Sequence, residues 1–245
     1  MNLVLIHGLI GHLRMPKLQA AFSSAAVLPI DLIGYGQFRH QSAEQASIDQ
    51  QADHVAAQMK QSGIQSAAVA GHSVGGAVAA QLALRHPGLV QTLISVEGNI
   101  SLNDAFWSAD IAKKPLAYTE NLITEYQKNI ATWLARAGVK ATPWAIEVAN
   151  DWLSNQPAET IRNQAAAVVA ATTPDSYRDN LNTLVQRADL AVHFVAGEHS
   201  AEDWDVSPVL REHASSYTLI PNSGHLMMLD NPAEFATILE KLIVP

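Results

Sequence analysis

The sequence predicts an α/β fold: a mostly parallel sheet with crossover helices, interrupted by one inserted helical segment. Three observations predict it. Short apolar runs recur along the chain at intervals that leave room for a helix between them, the signature of a parallel sheet. Gly71-His72-Ser73-Val74-Gly75 joins an apolar strand-like run to an Ala- and Gly-rich helix-like one. From Ser101 to Gln186 the alternation stops, and an Ala-, Asn- and Trp-rich stretch shows helical periodicity with few strand signals over a length too great for a loop.

In chain order, the strand candidates are Leu3 to His7, Ala26 to Ile30, Ala67 to Ala70, Thr92 to Val96, Ala191 to Ala196 and Tyr217 to Ile220. Ser47 to Ser62 between them reads as an amphipathic helix. Gly76 to Leu84 reads as a small-residue helix able to pack closely on a sheet. Pro232 to Leu242 closes the chain as a helix, with Asn231 as N-cap and proline at the first helical position. The expected organisation is a first core segment over 1–100, a helical insertion over 101–186 and a second core segment over 187–245.

Composition narrows the function classes. At 245 residues and 48% hydrophobic content, the chain can bury one sizeable core. The net charge is −8 with scattered Lys and Arg, so no basic stripe exists for a phosphate backbone or an anionic membrane surface. Neither nucleic acid nor a membrane is an expected partner. The absence of cysteine removes disulfides, thiolate catalysis and Cys-based zinc sites. None of the ten histidines falls in a metal-ligand spacing, so no metal and no cofactor is expected. Met1 to His7 starts directly with a strand-like run and lacks the parts of a signal peptide, so the expected location is cytoplasmic.

The chemistry concentrates where strands end. In a G-x-S-x-G elbow the serine occupies a strained strand-to-helix turn, and small neighbours let the backbone close while Oγ stays exposed; Ser73 has that context. His7-Gly8-Leu9-Ile10-Gly11-His12 follows the first strand, at the carboxyl end of the sheet where open α/β sheets bind ligands, and its backbone amides can converge there. Asp31-Leu32-Ile33-Gly34-Tyr35-Gly36 follows the second strand, and Asp31 is expected to brace its loop rather than perform chemistry. Ser223-Gly224-His225 follows the last strand, on a loop from which a histidine can swing toward a serine.

The order of these elements resembles the α/β-hydrolase superfamily over essentially the whole length, on His7-Gly8, Asp31-x-x-Gly34-x-Gly36, Gly71-x-Ser73-x-Gly75 and Gly224-His225. The resemblance implies Ser73 as nucleophile, His225 as general base, and the amides of Leu9 and Val74 as oxyanion hole. It also implies that the insertion is a cap over the site. The usual first hairpin of that fold is absent, which implies a sheet of about six strands.

The acid departs from the common pattern. Many relatives carry it in a Gly-x-x-Asp turn after the penultimate strand, but here that turn reads Gly197-Glu198-His199-Ser200. A serine cannot supply the negative charge that holds the histidine tautomer and stabilises its imidazolium form. Glu97, ending the strand after the nucleophile, stands where other branches of the superfamily, haloalkane dehalogenase relatives included, place the acid. Asp203 and Asp205 are the alternatives.

These parts together imply hydrolysis of an ester or similar acyl bond through an acyl-enzyme. A serine nucleophile does not support the alkyl-enzyme chemistry of dehalogenases and epoxide hydrolases. Trp107, Trp133, Trp144 and Trp152, with Phe106, Tyr118 and Tyr126, make the insertion a source of apolar surface, so the expected partner is a mainly apolar small-molecule substrate. The same triad also serves carbon-carbon bond hydrolases, lyases, haloperoxidase-like enzymes and ligand receptors. Acyl-chain length, leaving group and oligomeric state are not encoded in these motifs.

Overall fold

A computed structural model describes residues 1–44 and 46–243. Six strands form one sheet: β1 (Asn2–Ile6), β2 (Ala26–Ile30), β3 (Ala67–His72), β4 (Val90–Val96), β5 (Ala191–Gly197) and β6 (Ser216–Ile220). They lie in the order β2-β1-β3-β4-β5-β6, and every neighbouring pair is parallel. Parallel pairing requires a crossover after each strand, which is why the apolar runs are so widely spaced in sequence. The runs are near-continuous in apolar residues because the sheet is covered; all six residues of β3 are buried. The second strand has the expected bounds, and the other five differ from expectation by one or two residues at their ends, where strand ladders fray.

The helices of the first core segment are α1 (Pro16–Gln19), α2 (Ile48–Gln61) and α3 (Val74–Arg85). Six more fall between β4 and β5: α4 (Phe106–Lys113), α5 (Leu116–Lys128), α6 (Ile130–Arg136), α7 (Pro143–Ser154), α8 (Ala158–Thr172) and α9 (Asp175–Val185). The last three are α10 (Pro208–His213), α11 (Met227–Asp230) and α12 (Pro232–Ile243). The sequence signals for their ends are physical. Ser47 caps α2 through a reciprocal pair with Gln50, which satisfies amides that α2 itself cannot pair and contributes about 1 kcal/mol. The Asn231 side chain accepts from the Glu234 amide at the start of α12. That helix buries Phe235, Ile238 and Leu239, each stabilising the fold by roughly 1.5–3 kcal/mol.

Within the helical insertion α8 packs against α4 and α5, and α6 packs against α7. A buried hydrogen bond of 2.8 Å from Gln51 of α2 to Gln164 of α8 ties the insertion to the core. No helix among the described residues is long and apolar enough to cross a membrane.

Candidate active site

Ser73 forms the turn from β3 into α3 with φ 54° and ψ −121°, a conformation that a residue with a side chain holds only when its surroundings enforce it. Three hydrogen bonds enforce it. The Ser73 amide donates to the Val96 carbonyl at 3.0 Å, and the Ser73 carbonyl accepts from the amides of Gly76 at 2.8 Å and Asn99 at 3.1 Å. A β-carbon at Gly71 would run into the Gly75 carbonyl, and one at Gly75 into the Ile6 carbonyl, so the motif is glycine where backbone meets backbone. The hydroxyl caps no amide of α3 and stays uncommitted.

Among the described residues only two other non-glycine residues have positive φ, Glu97 at 39° and Asn222 at 53°. Glu97 directly follows β4, and Asn222 leads into the loop carrying His225. Backbone strain thus gathers at the carboxyl end of the sheet, around one point.

Glu97 and His225 meet there. His225 Nδ1 lies 2.6 Å from Glu97 Oε2, with the carboxylate side chain 5% exposed and the imidazole 43% exposed. Facing a carboxylate, Nδ1 carries the proton, and Nε2 is left as the acceptor. Glu97 Oε1 accepts from the Gly197 amide at 2.8 Å and from Ser200 Oγ at 2.5 Å. Burial pushes this carboxyl up, but the hydrogen bond and charge of His225, with the bonds from Ser200 and Gly197, outweigh burial and hold it below the ordinary carboxylate range.

The structure does not bring the two alternative carboxylates to His225. Asp203 is exposed, and Asp205 accepts from Ser101 Oγ at 2.7 Å and Asn103 Nδ2 at 3.0 Å, stapling the start of the insertion. Asp31 accepts long bonds of 3.4 Å from the Gln37 amide and from Arg14, within and beside its own loop.

The His225 loop is held from three sides. His72 Nε2 donates to the His225 carbonyl at 2.9 Å, the Gly224 amide donates to Asp230 at 3.0 Å, and the His199 amide donates to the Ser223 carbonyl at 3.0 Å. Burial lowers His72 to about 3, so it acts as a neutral donor. His7 is also buried and lowered to about 4; its Nε2 accepts from the Leu32 amide at 3.1 Å, while Nδ1 donates to the Gly8 carbonyl at 2.8 Å. That bond pins the start of the loop carrying Leu9.

Gly8 stands against Ser73: a β-carbon there would lie 3.1 Å from the serine Cβ. The peptide from Leu9 to Ile10 is oriented by Tyr35, a fully buried side chain whose hydroxyl donates to the Leu9 carbonyl at 2.8 Å. Among the described residues the amides of Leu9 and Val74 have no intramolecular acceptor; Val74 opens α3, where first-turn amides lack helical partners.

The insertion grips the same loop. The Gly11 amide donates to Gln156 Oε1 at 3.0 Å, Asn155 Nδ2 donates to the Gly11 carbonyl at 3.1 Å, and His12 Nε2 pairs with Asp151 at 2.7 Å. Of the aromatics there, Trp133 and Trp152 are buried, Tyr126 stacks on Trp133 at 5.6 Å, and Phe106 is 75% exposed. Trp152 packs against Gly11.

Sequence patterns alone do not signal Ser200, Tyr35, Gln156 or His72 as parts of this site. Their partners lie on other elements, beyond the reach of any local motif. Among the described residues no three His, Cys, Asp or Glu side chains converge to hold a metal ion.

Comparison with known proteins agrees with this architecture. RutD of Escherichia coli (strain K12 / DH10B), named "Putative carbamate hydrolase", is 30% identical over 192 residues, covering 78% of this chain. The match spans 66% of that relative, slightly under two thirds of its length. Among solved structures, ALR0039 of Nostoc sp PCC 7120 superposes with a TM-score of 0.75 at 20% identity, covering 99% of this chain and 90% of that one. The esterase EaEST of Exiguobacterium antarcticum gives 0.71 at 17% identity, covering 99% and 91%. The model of the Alpha/beta hydrolase family matches residues 3–238, almost the whole sheet and the insertion within it. With the parallel six-stranded sheet in place and the family's pattern running through it, the chain belongs to the alpha/beta hydrolase family.

Proposed function

We propose that this hydrolase is a serine hydrolase that cleaves a carboxylic ester, or a related acyl bond such as a carbamate, in a mainly apolar small molecule. The observation that carries the reading is the Glu97–His225 pair at 2.6 Å on loops beside the strained elbow of Ser73. With Nδ1–H committed to Glu97, His225 Nε2 accepts the Ser73 proton as Oγ attacks the acyl carbonyl. The amides of Leu9 and Val74 receive the developing oxyanion, in place before the reaction because His7, bonded to the Gly8 carbonyl of the same planar peptide as the Leu9 amide, and the α3 backbone hold them. His225 then protonates the leaving group. Water, activated by the same imidazole, releases the acyl group from Ser73.

The insertion acts as a cap in this reading, which its contacts with Gly11 and His12 of the loop after β1 support. The esterase and carbamate hydrolase names among the similar proteins support acyl chemistry as the reaction class. The test is multiple-turnover hydrolysis of p-nitrophenyl esters from short to medium acyl chains, with Ser73→Ala alongside. Turnover that disappears in Ser73→Ala is the expected result. Equal turnover by both proteins would remove the nucleophile assignment.

A further inference from the structure

The loop after β5 holds a serine where many members of this fold carry their acid, and that serine is committed to the acid this chain does contain. Ser200 Oγ lies 2.5 Å from Glu97 Oε1. A hydroxyl has one proton to donate. Its only other acceptor among the described residues, the Gly197 carbonyl of its own turn, is 3.5 Å away, so the short bond to the carboxylate takes the proton. Oε1 also receives the Gly197 amide at 2.8 Å. The two oxygens are thereby divided: one is saturated by the β5 loop, and the other, Oε2, is left to His225 Nδ1.

The donor sits on a rigid support. Glu198 and His199 donate their amides to the Ile220 and Ser223 carbonyls at 3.0 Å, so the loop carrying Ser200 is bonded to the loop carrying His225. The Ser200 amide closes its own turn on the Gly197 carbonyl at 3.2 Å. Glu97, in contrast, emerges from a left-handed backbone and ends in a torsion with broad freedom. Something must fix that carboxylate plane, and Ser200 is the side chain that touches it from outside the acid–base pair.

We propose that Ser200 is a positioning residue for the Glu97–His225 pair: its hydroxyl anchors Glu97 Oε1 so that Oε2 stays aimed at His225 Nδ1. This rests on the serine hydrolase reading above. A hydrogen bond to a charged group is worth enough that its loss costs about tenfold to a hundredfold in rate. Because Ser200 does not approach the acyl group, the loss falls on kcat and leaves KM unchanged.

The experiment compares Ser200→Ala, Ser200→Val and Ser200→Thr by p-nitrophenyl butyrate turnover, by the rate of Ser73 labelling with a fluorophosphonate, and by thermal unfolding. Ala and Val are expected to lower kcat and the labelling rate by about tenfold to a hundredfold at constant KM. Threonine, which keeps the hydroxyl, should recover most of both. The Thr and Val pair differ by a hydroxyl in nearly the same volume, so their contrast decides the matter even where alanine impairs folding. A Val variant as active as Thr, or a Thr variant as impaired as Val, overturns the proposal. Controls separate the two levels: loss of activity in Ser73→Ala and Glu97→Gln with an unaffected Ser200→Val removes this inference alone, whereas a Ser73→Ala protein that turns over normally removes the reading beneath it.

Discussion

Gly11→Ala tests the contact between the insertion and the loop after β1, which carries the proposed oxyanion donor Leu9. Gly11 has φ +88°, and a β-carbon there would lie 2.5 Å from Cδ2 and 2.8 Å from Cβ of Trp152. Trp152 cannot step aside freely, because it is 3% exposed and its carbonyl accepts from Gln156, the residue that also receives the Gly11 amide. A left-handed alanine costs about 1–2 kcal/mol, and overpacking a buried contact about 1–3 kcal/mol. Their sum centres near 3.5 kcal/mol, which lowers Tm by about 7–14 °C in a chain of this size. Relief requires the loop and Trp152 to part, and Leu9 is only two residues away. With the Leu9 amide as the proposed oxyanion donor, the kcat loss is bounded by the worth of one such donor, about 10²–10³. Thermal unfolding and p-nitrophenyl ester kinetics on the same preparation measure both effects. A Tm within about 2 °C of wild type, with unchanged kcat, would refute the reasoning, since it would mean that Trp152 and Gly11 are not in register.

Two further expectations rest on the site. Glu97→Gln keeps the shape of the side chain but puts an N–H toward either His225 or the donors Ser200 and Gly197; facing His225 it stabilises the wrong tautomer, and kcat should fall by about 10³–10⁴ with the circular dichroism spectrum unchanged. Near-wild-type turnover would move the acid elsewhere. The second concerns acid: burial holds His7 at about 4 and His72 at about 3, against an ordinary value of 6.5, so below pH 6.5 the unfolded chain takes up protons that the folded chain refuses. Stability is therefore full above pH 6.5 and falls as pH drops toward 4, by up to about 2.7 kcal/mol per pH unit near pH 5 for the two groups together. Urea unfolding at pH 7 and pH 5 reads this directly, and equal midpoints would show that neither histidine is held neutral by burial.

Much of this protein was legible in its sequence because the relevant physics is local. A covered parallel strand must be apolar throughout, so β1 and β3 to β5 announce themselves as short apolar runs, and the crossovers they require set the spacing. The elbow at Ser73 is local too, since the glycines that let Gly71 and Gly75 meet other backbone lie within two residues of the serine. The cap of α12 is read from two consecutive side chains, Asn231 and Pro232.

Which groups meet was decided by the tertiary structure. Glu97 and His225 are 128 positions apart, and Glu97 and Ser200 are 103 apart; no pattern in the chain couples them. They converge because β4, β5 and β6 are laid side by side with parallel direction, so the loops leaving their carboxyl ends share one edge of the sheet. The sequence by itself determined which residue types stand at strand ends, a property of neighbours a few bonds away. Only the packed sheet decided that the serine of the β5 loop bonds Glu97, because a hydrogen bond between distant loops exists only once strand order and register have placed both ends of it.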